Sequence, residues 1–260
     1  MKKLLLSAFL ITFCAGFAKA GPFDAFNHVL NLIAYNSGGS KDGERLAQRY
    51  LDVLAKDVGQ AISGGSYGVG GNLRISDLNL MLSLKVSYQD VATDNFIVRT
   101  SGETSITYPI IHAEYAFAER YDAIARASYF NSSALFGGGL RYKILVSEDE
   151  IYIPTLSVQS VYTHIFYSDG ELGKFNAWNL KTGTTAFFGL IPYIQPYVFL
   201  TYDFMGLNPG SSYYSHLSAR AQGFGYGAGA NIKMDMLNIS VSVSMYDNLP
   251  NISFGVFVGI

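Results

Sequence analysis

Six ionisable residues of this chain sit where a two-residue period would bring them together. Lys85 lies within residues 75–88, His112 and Glu114 within 109–118, Arg126 within 122–131, and Arg141 and Lys143 within 134–146. Each stretch alternates large apolar residues with polar or small ones, and all six charges fall on the polar phase. In paired strands, neighbouring side chains on one face stand about 5 Å apart. Four such strands side by side therefore gather these groups on one wall. If the tight turn at 119–121 sets the register, Glu114 faces Arg126 and His112 faces Ser128. A short loop at 131–133 then puts Arg126 near Arg141, with Lys85 and Lys143 close by. Three chemistries fit the set. One is a ladder of ion pairs that fills and neutralises an interior. Another is a positively biased site for an anionic solute or lipid head group. The third is proton transfer by Glu114 with His112.

Other reactive residues are less well arranged. His164 shares a strand face with Ser160 and Ser168, but Ser160 and His164 are roughly 13 Å apart along a strand. A nucleophile and its base must come within hydrogen-bond reach. His28 falls in a helical stretch and His216 in a loop beside Ser215. Asp169 with Glu171, and Glu148-Asp149-Glu150, read as solvated turn charges rather than calcium ligands. Zinc-ligand spacing and a phosphate-cradling loop are both missing from the sequence, so no metal, no other cofactor and no catalytic residues are expected.

The elements that must position these groups are strands. The clearest is the last: Ile252, Phe254, Val256, Val258 and Ile260 take one face, and Ser253, Gly255, Phe257 and Gly259 the other. About ten such stretches follow residue 75, and twelve if 89–108 hides a further hairpin. A second wall differs from the charged one. In 219–233, 238–246 and the last strand the polar phase carries Gly223, Gly225, Gly227, Gly229, Ser240, Ser242, Ser244, Gly255 and Gly259. Nearly a third of the circumference then lacks large inward side chains and leaves room for something, either a helix or a ligand or water path. Gly137-Gly138-Gly139 lies inside a strand and reads as a bend or a close approach.

Residues 22–35 form a weak helical candidate, and Ser37-Gly38-Gly39-Ser40 breaks it. Residues 43–62 form a stronger one, with Leu46, Tyr50, Val53, Leu54 and Val58 at helical spacing. Gly64-Gly65 stops it, and a Gly-rich link, Tyr67 to Asn72, follows.

Composition sets the environment. Charged residues are 15% and aromatics 15%, yet no run past the first residues reaches the ~18 apolar residues of a membrane helix. Apolar residues in alternation can cross lipid only as a closed ring, because every backbone polar group must be paired internally. The start of the chain agrees. Lys2 and Lys3, the apolar run Leu4 to Phe17, and Ala18-Lys19-Ala20 make a secretory leader over 1–20. Phe13 before Cys14 is too bulky for a lipoprotein signal, so the processed chain has no cysteine. Loss of Lys2, Lys3 and Lys19 takes Lys+Arg from 18 to 15 against 20 Asp+Glu, a net charge of −5. That balance disfavours nucleic acid.

The expected fold is all-β: a closed antiparallel transmembrane β-barrel of about ten strands over 65–260, preceded by one or two helices over 21–64. That helical segment is periplasmic or plugs the barrel. Tyr88, Tyr108, Tyr129, Tyr162, Tyr202, Tyr213 and Tyr214 near one set of strand ends, and Tyr142 and Tyr152 near the other, read as interfacial girdles.

A leader, a helix near Leu46-Ala47-Gln48-Arg49-Tyr50-Leu51, a Gly/Ser break and a small barrel resemble an uncharacterised family of bacterial outer-membrane β-barrel proteins with an N-terminal helix. The terminal strand resembles the signal read by the barrel-assembly machinery, except that it ends in Ile260 rather than Phe or Trp. The resemblance implies an outer-membrane location and supplies no reaction and no site residues. The expected partners are outer-membrane lipids, that machinery through the C-terminal strand, and a small-molecule ligand. The leading functional expectation is restricted passage or binding of a small or lipid-like molecule. The alternatives are a structural or adhesive surface barrel and an outer-membrane hydrolase.

Overall fold

The alternation becomes ten strands in a computed structural model that describes residues 22–67, 79–146, 153–169, 173–189, 193–210, 213–234 and 237–259. The expected leader, the link after Tyr67, residues 148–150, Tyr152, Glu171 and Ile260 lie outside the described residues. The strands are β1 (Leu80–Asp90), β2 (Ser105–Ala118), β3 (Tyr121–Phe130), β4 (Ser133–Leu145), β5 (Thr155–Asp169), β6 (Gly173–Phe187), β7 (Ile194–Pro209), β8 (Ala219–Ile232), β9 (Asn238–Tyr246) and β10 (Leu249–Gly259). Each pairs antiparallel with the next, and β10 returns to β1 from Met81↔Gly259 to Gln89↔Asn251. The ring is closed and leaves no edge.

The outward phase is apolar around the wall. Ile111, Tyr115, Phe136, Leu140, Leu200, Phe224 and Val243 are each half exposed or more. Water does not favour a continuous belt of this kind, and lipid does. The inward phase is buried, and it changes character along the barrel. Toward one mouth it is apolar, with Ile106, Ile110, Leu135, Ile165, Phe175 and Leu207. Deeper in, it carries the charged residues.

The apolar half of the lumen receives the N-terminal helices. Helix α1 (Phe26–Ser37) ends at Gly38, whose φ of 58° is the left-handed cap that glycine favours. Ser40 then caps α2 (Lys41–Ser63) by accepting a hydrogen bond from Gly43 N, and Asp42 and Glu44 suit the positive end of the helix. The buried stripe of α2 is Ala47, Leu51, Leu54, Ala55, Val58 and Ile62. This corrects the predicted stripe, because Leu46 is exposed and Tyr50 and Val53 only half-buried. From Asp57 to Ser63 every residue is buried, as a helix walled on all sides requires. Here α2 lies inside the ring, against β1, β2 and β5 to β8. Gly59 allows that fit, since a Cβ there would fall 2.3 Å from Met205 Cγ.

Helix α1 packs over the same mouth. Phe23 meets the Tyr167 and Phe175 rings edge-on at 5.4 and 5.0 Å. The β1–β2 connection, 91–104, holds a short helix, α3 (Phe96–Thr100), where a further hairpin was an alternative. Phe96 stacks on Tyr50 at 5.5 Å. Helices α1, α2 and α3 thus cap the mouth opposite the start of β1 and the end of β10. Tyr108 and Tyr214 belong to this capped core, 2% and 0% exposed, and not to a girdle.

Candidate functional site

A helix that ends inside a protein leaves its last carbonyls without partners and carries partial negative charge there. The last turn of α2 has no basic residue of its own, and the barrel wall supplies two. Arg126, on β3, donates to Ile62 O at 3.0 Å, Gly64 O at 2.5 Å, Ser66 Oγ at 2.8 Å and Thr163 Oγ1 at 3.2 Å. Lys85, on β1, donates to Gly65 O at 2.5 Å. Gln159, on β5, donates to Ser66 O at 2.9 Å. Among the described residues the carboxylate ion pairs include neither Lys85 nor Arg126. Their counter-charge is the carbonyl end of the plug.

The other four members of the predicted cluster bond to one another and to Asp122 and Gln159. Arg141 holds Glu114 through two bonds, at 2.6 and 3.1 Å, and reaches Asp122 at 3.3 Å. Lys143 donates to Asp122 at 2.9 Å, and Arg141 Nε donates to Gln159 at 3.0 Å. His112 Nε2 lies 2.7 Å from Glu114 Oε1, where an N–H can donate to the carboxylate. Two carboxylates balance two cations, so this part is the neutral ladder.

The register that builds the ladder departs from the expected one. His112 pairs with Arg126 and Glu114 with Ile124, because the turn is only 119–120 and β2 bulges between Ala116 and Ala118. The pairing slips by two residues, and Glu114 reaches past β3 to Arg141. Arg126 faces Gly137 and Arg141 faces Asp122, so the two arginines are not cross-strand neighbours. Asp122 and Gln159 were missed, although both stand on the inward phase of predicted strands. Gly137 and Gly139 are close approaches, where a Cβ would fall 2.5 Å from Tyr162 O and 2.3 Å from Ser160 O.

Along Gly225, Gly227 and Gly229 the small-residue wall is filled by its own neighbours, and α2 meets β8 near Gly223. Tyr197 lies opposite Gly229, Phe199 opposite Gly227 and Thr201 opposite Gly225. A Cβ at Gly227 would fall 2.5 Å from Phe199 Cζ, one at Gly229 2.4 Å from Tyr197 Oη, and one at Gly225 2.1 Å from Tyr246 Cε1. Only Gly223 nears α2, with Gln60 Nε2 3.4 Å from its added Cβ. Ser240, Ser242 and Ser244 face the same interior, all under 8% exposed. The expectation that the helix stripe packs on the glycines is therefore corrected: three inward aromatic rings occupy that room. Tyr67, just past the plug, stacks on Phe199 at 5.3 Å.

A second polar group on this side was placed inward by the alternation but not grouped. Lys181 bonds the Tyr246 hydroxyl and lies 3.8 Å from Asp203, to which Asn179 also donates at 2.8 Å. Two turns before its end, α2 is held differently. Asp57 accepts from Ala92 N at 3.0 Å and from Asn95 Nδ2 at 2.7 Å, both in the β1–β2 connection. Burial pushes its carboxyl up to about 6, against the pull of those two donors. On the outer wall, Tyr162 Oη lies 2.8 Å from His164 Nδ1, and Ser160 Oγ lies 3.0 Å from Thr182 Oγ1. His216 lies 3.5 Å from Glu44 on the cap.

A closed ring of alternating strands with an apolar belt is the transmembrane β-barrel of the bacterial outer membrane, and this chain is one. No family model and no curated protein matches it. It is similar to the translocator domain of autotransporter NalP from Neisseria meningitidis, at 12% identity over 80% of this chain and 95% of that one, with a TM-score of 0.40. It is similar to Ail of Yersinia pestis at 14% identity over 69% and 95%, with a TM-score of 0.33. It is also similar to the N-terminal β-barrel domain of OprF from Pseudomonas aeruginosa, at 15% identity over 69% and 96%, with a TM-score of 0.31. At such values the likenesses carry no argument about function. The barrel stands on its own strand pairing.

Proposed function

We propose that this chain is a self-plugged outer-membrane barrel through which passage of a small or lipid-like molecule is restricted by α2. The observation that carries this reading is the set of bonds from Arg126 and Lys85 to Ile62 O, Gly64 O and Gly65 O. They fix the end of the helix in mid-lumen at residues that a bare structural ladder would not need. In low dielectric such charge-assisted bonds are among the stronger ones, so the closed state is the resting state. Opening requires the helix end to leave both cations and a water-filled path to replace it. The positive bias of the vacated wall then favours an anionic solute or head group.

A second reading is a structural or adhesive surface barrel that never opens. The mutual satisfaction of Glu114, Asp122, Arg141 and Lys143 favours it, since that ladder needs no ligand. Single-channel conductance in planar bilayers, with and without residues 22–63, separates the two. Gated passage predicts a shut full-length barrel and steady current after truncation. A truncated barrel that inserts and stays shut supports the structural reading instead.

A further inference from the structure

We infer that the N-terminal hairpin of α1 and α2 is displayed on the outer face of the membrane, so that the barrel presents its own N-terminal segment to the cell exterior. Three observations point the same way. First, the hairpin caps the mouth opposite the start of β1 and the end of β10. With an even number of strands both ends of the barrel share one side, so the cap lies across the membrane from them.

Second, the two mouths meet the membrane differently around β6 to β8, although Tyr129 on β3 is an outward aromatic beside the 131–132 turn of the capped mouth. At the uncapped mouth, outward aromatics come close to the connections: Phe117 and Tyr121 flank the turn at 119–120, and Tyr193 immediately precedes β7. The barrel scarcely extends past its apolar belt there. At the capped mouth the outward faces of β6, β7 and β8 turn polar, with Lys174, Asn176, Asn208, Arg220 and Gln222. Asn208 donates to Asn176 at 3.3 Å. These strands overhang the belt into water.

Third, the longest connection, 91–104, lies at the capped mouth and carries its own helix. Longer loops outside are the rule for such barrels, and 91–104 and 210–218 follow it at this mouth, while β3–β4, β5–β6 and β9–β10 turn there within two or three residues. The exposed face of the cap is suited to water as well: Lys41, Asp42, Arg45 and Arg49 on α2 are all exposed. A periplasmic helix, one of the two expectations for residues 21–64, does not fit these features.

Two single-cysteine variants test the side. Tyr35 on α1 is 86% exposed, and Arg120 in the turn at 119–120 is exposed at the other mouth. Neither residue touches the plug bonds. Cells carrying full-length Tyr35→Cys or Arg120→Cys are treated with a membrane-impermeant maleimide, intact and after outer-membrane permeabilisation. The inference expects Tyr35→Cys to label in intact cells and Arg120→Cys only after permeabilisation. Tyr35→Cys that stays unlabelled in intact cells, or Arg120→Cys that labels there, overturns it. This outcome is independent of conductance, so the gating proposal and the display proposal fail separately.

Discussion

The wall of β1 to β4 and the wall of β7 to β9 face each other across one lumen and meet its contents in opposite ways. The first reaches inward with long cations, and its partners are the carbonyls at the end of α2. The second reaches inward with almost nothing from β8 and β9, and rings from β7 and β9 lie over the gap. One wall binds the end of the plug by directed polar bonds; the other meets the helix by packing, with Met205 of β7 against Gly59. The difference teaches that the space left by small residues is not by itself a binding site. A neighbouring strand fills it first, because cross-strand neighbours are held at contact distance by the ladder.

Breaking the charged wall should have the largest effect. Arg126→Met with Lys85→Met leaves Ile62 O, Gly64 O and Gly65 O buried without donors, at about 1–3 kcal/mol for each unsatisfied group. We expect a loss of about 4 kcal/mol, seen as an earlier urea midpoint in the fluorescence of the single tryptophan, Trp178. An unchanged midpoint would mean that these bonds do not hold the helix.

A separate hold on α2 sharpens the contrast, because Asp57 is bonded by the β1–β2 connection rather than by a strand. The carboxyl of Asp57 sits at about 6 in the folded chain against 3.8 for the free group. The folded chain therefore keeps a proton that the unfolded chain releases. The stability this one carboxyl contributes is greatest below about pH 4, falls as pH rises toward 6, and is flat above. The decline should amount to about 2–3 kcal/mol. Asp57→Asn should abolish it, and urea titrations at several pH values would show whether the slope persists in the variant.

The smallest effect is expected on the small-residue wall. Gly227→Val would drive a side chain into Phe199 and Val243 O. Overpacking of this kind costs about 1–3 kcal/mol. The midpoint should drop while conductance stays shut, since the plug bonds are untouched. A Gly227→Val barrel that conducts would show that this wall also holds the helix.

Much of this was legible in the alternation. Which residues face in and which face out follows from the period of two, and Lys85, His112, Glu114, Arg126, Arg141 and Lys143 all point inward as read. The partners were not legible, because a two-residue turn at 119–120 and a bulge between Ala116 and Ala118 each move the β2–β3 register by one residue. The plug was only half legible. Its helix has a clear period, but its place inside the ring depends on β5, β6 and β7 being apolar on both faces near one end. Val161, Ile165 and Tyr167 face in while Tyr162 and Phe166 face out. A strand greasy on both sides at one end signals that the lumen there holds protein rather than water. The carbonyls that Arg126 and Lys85 bind leave no trace in the sequence at all, since backbone acceptors are the same at every residue.

The most direct measurement uses a helix that can be locked in place. An ideal Cβ at Gly59 lies 2.9 Å from Met205 Cβ, nearer than the ~3.5–4.5 Å a disulfide spans, so the bond needs α2 and β7 to part by about 1 Å. Gly59→Cys and Met205→Cys in the Arg126→Met, Lys85→Met background would tether α2 to β7 under oxidising conditions. Single-channel current should be absent while the bond is closed and should appear when reductant is added. Current that is the same before and after reduction, whether present or absent, would contradict a lumen closed by this helix and held by those two cations.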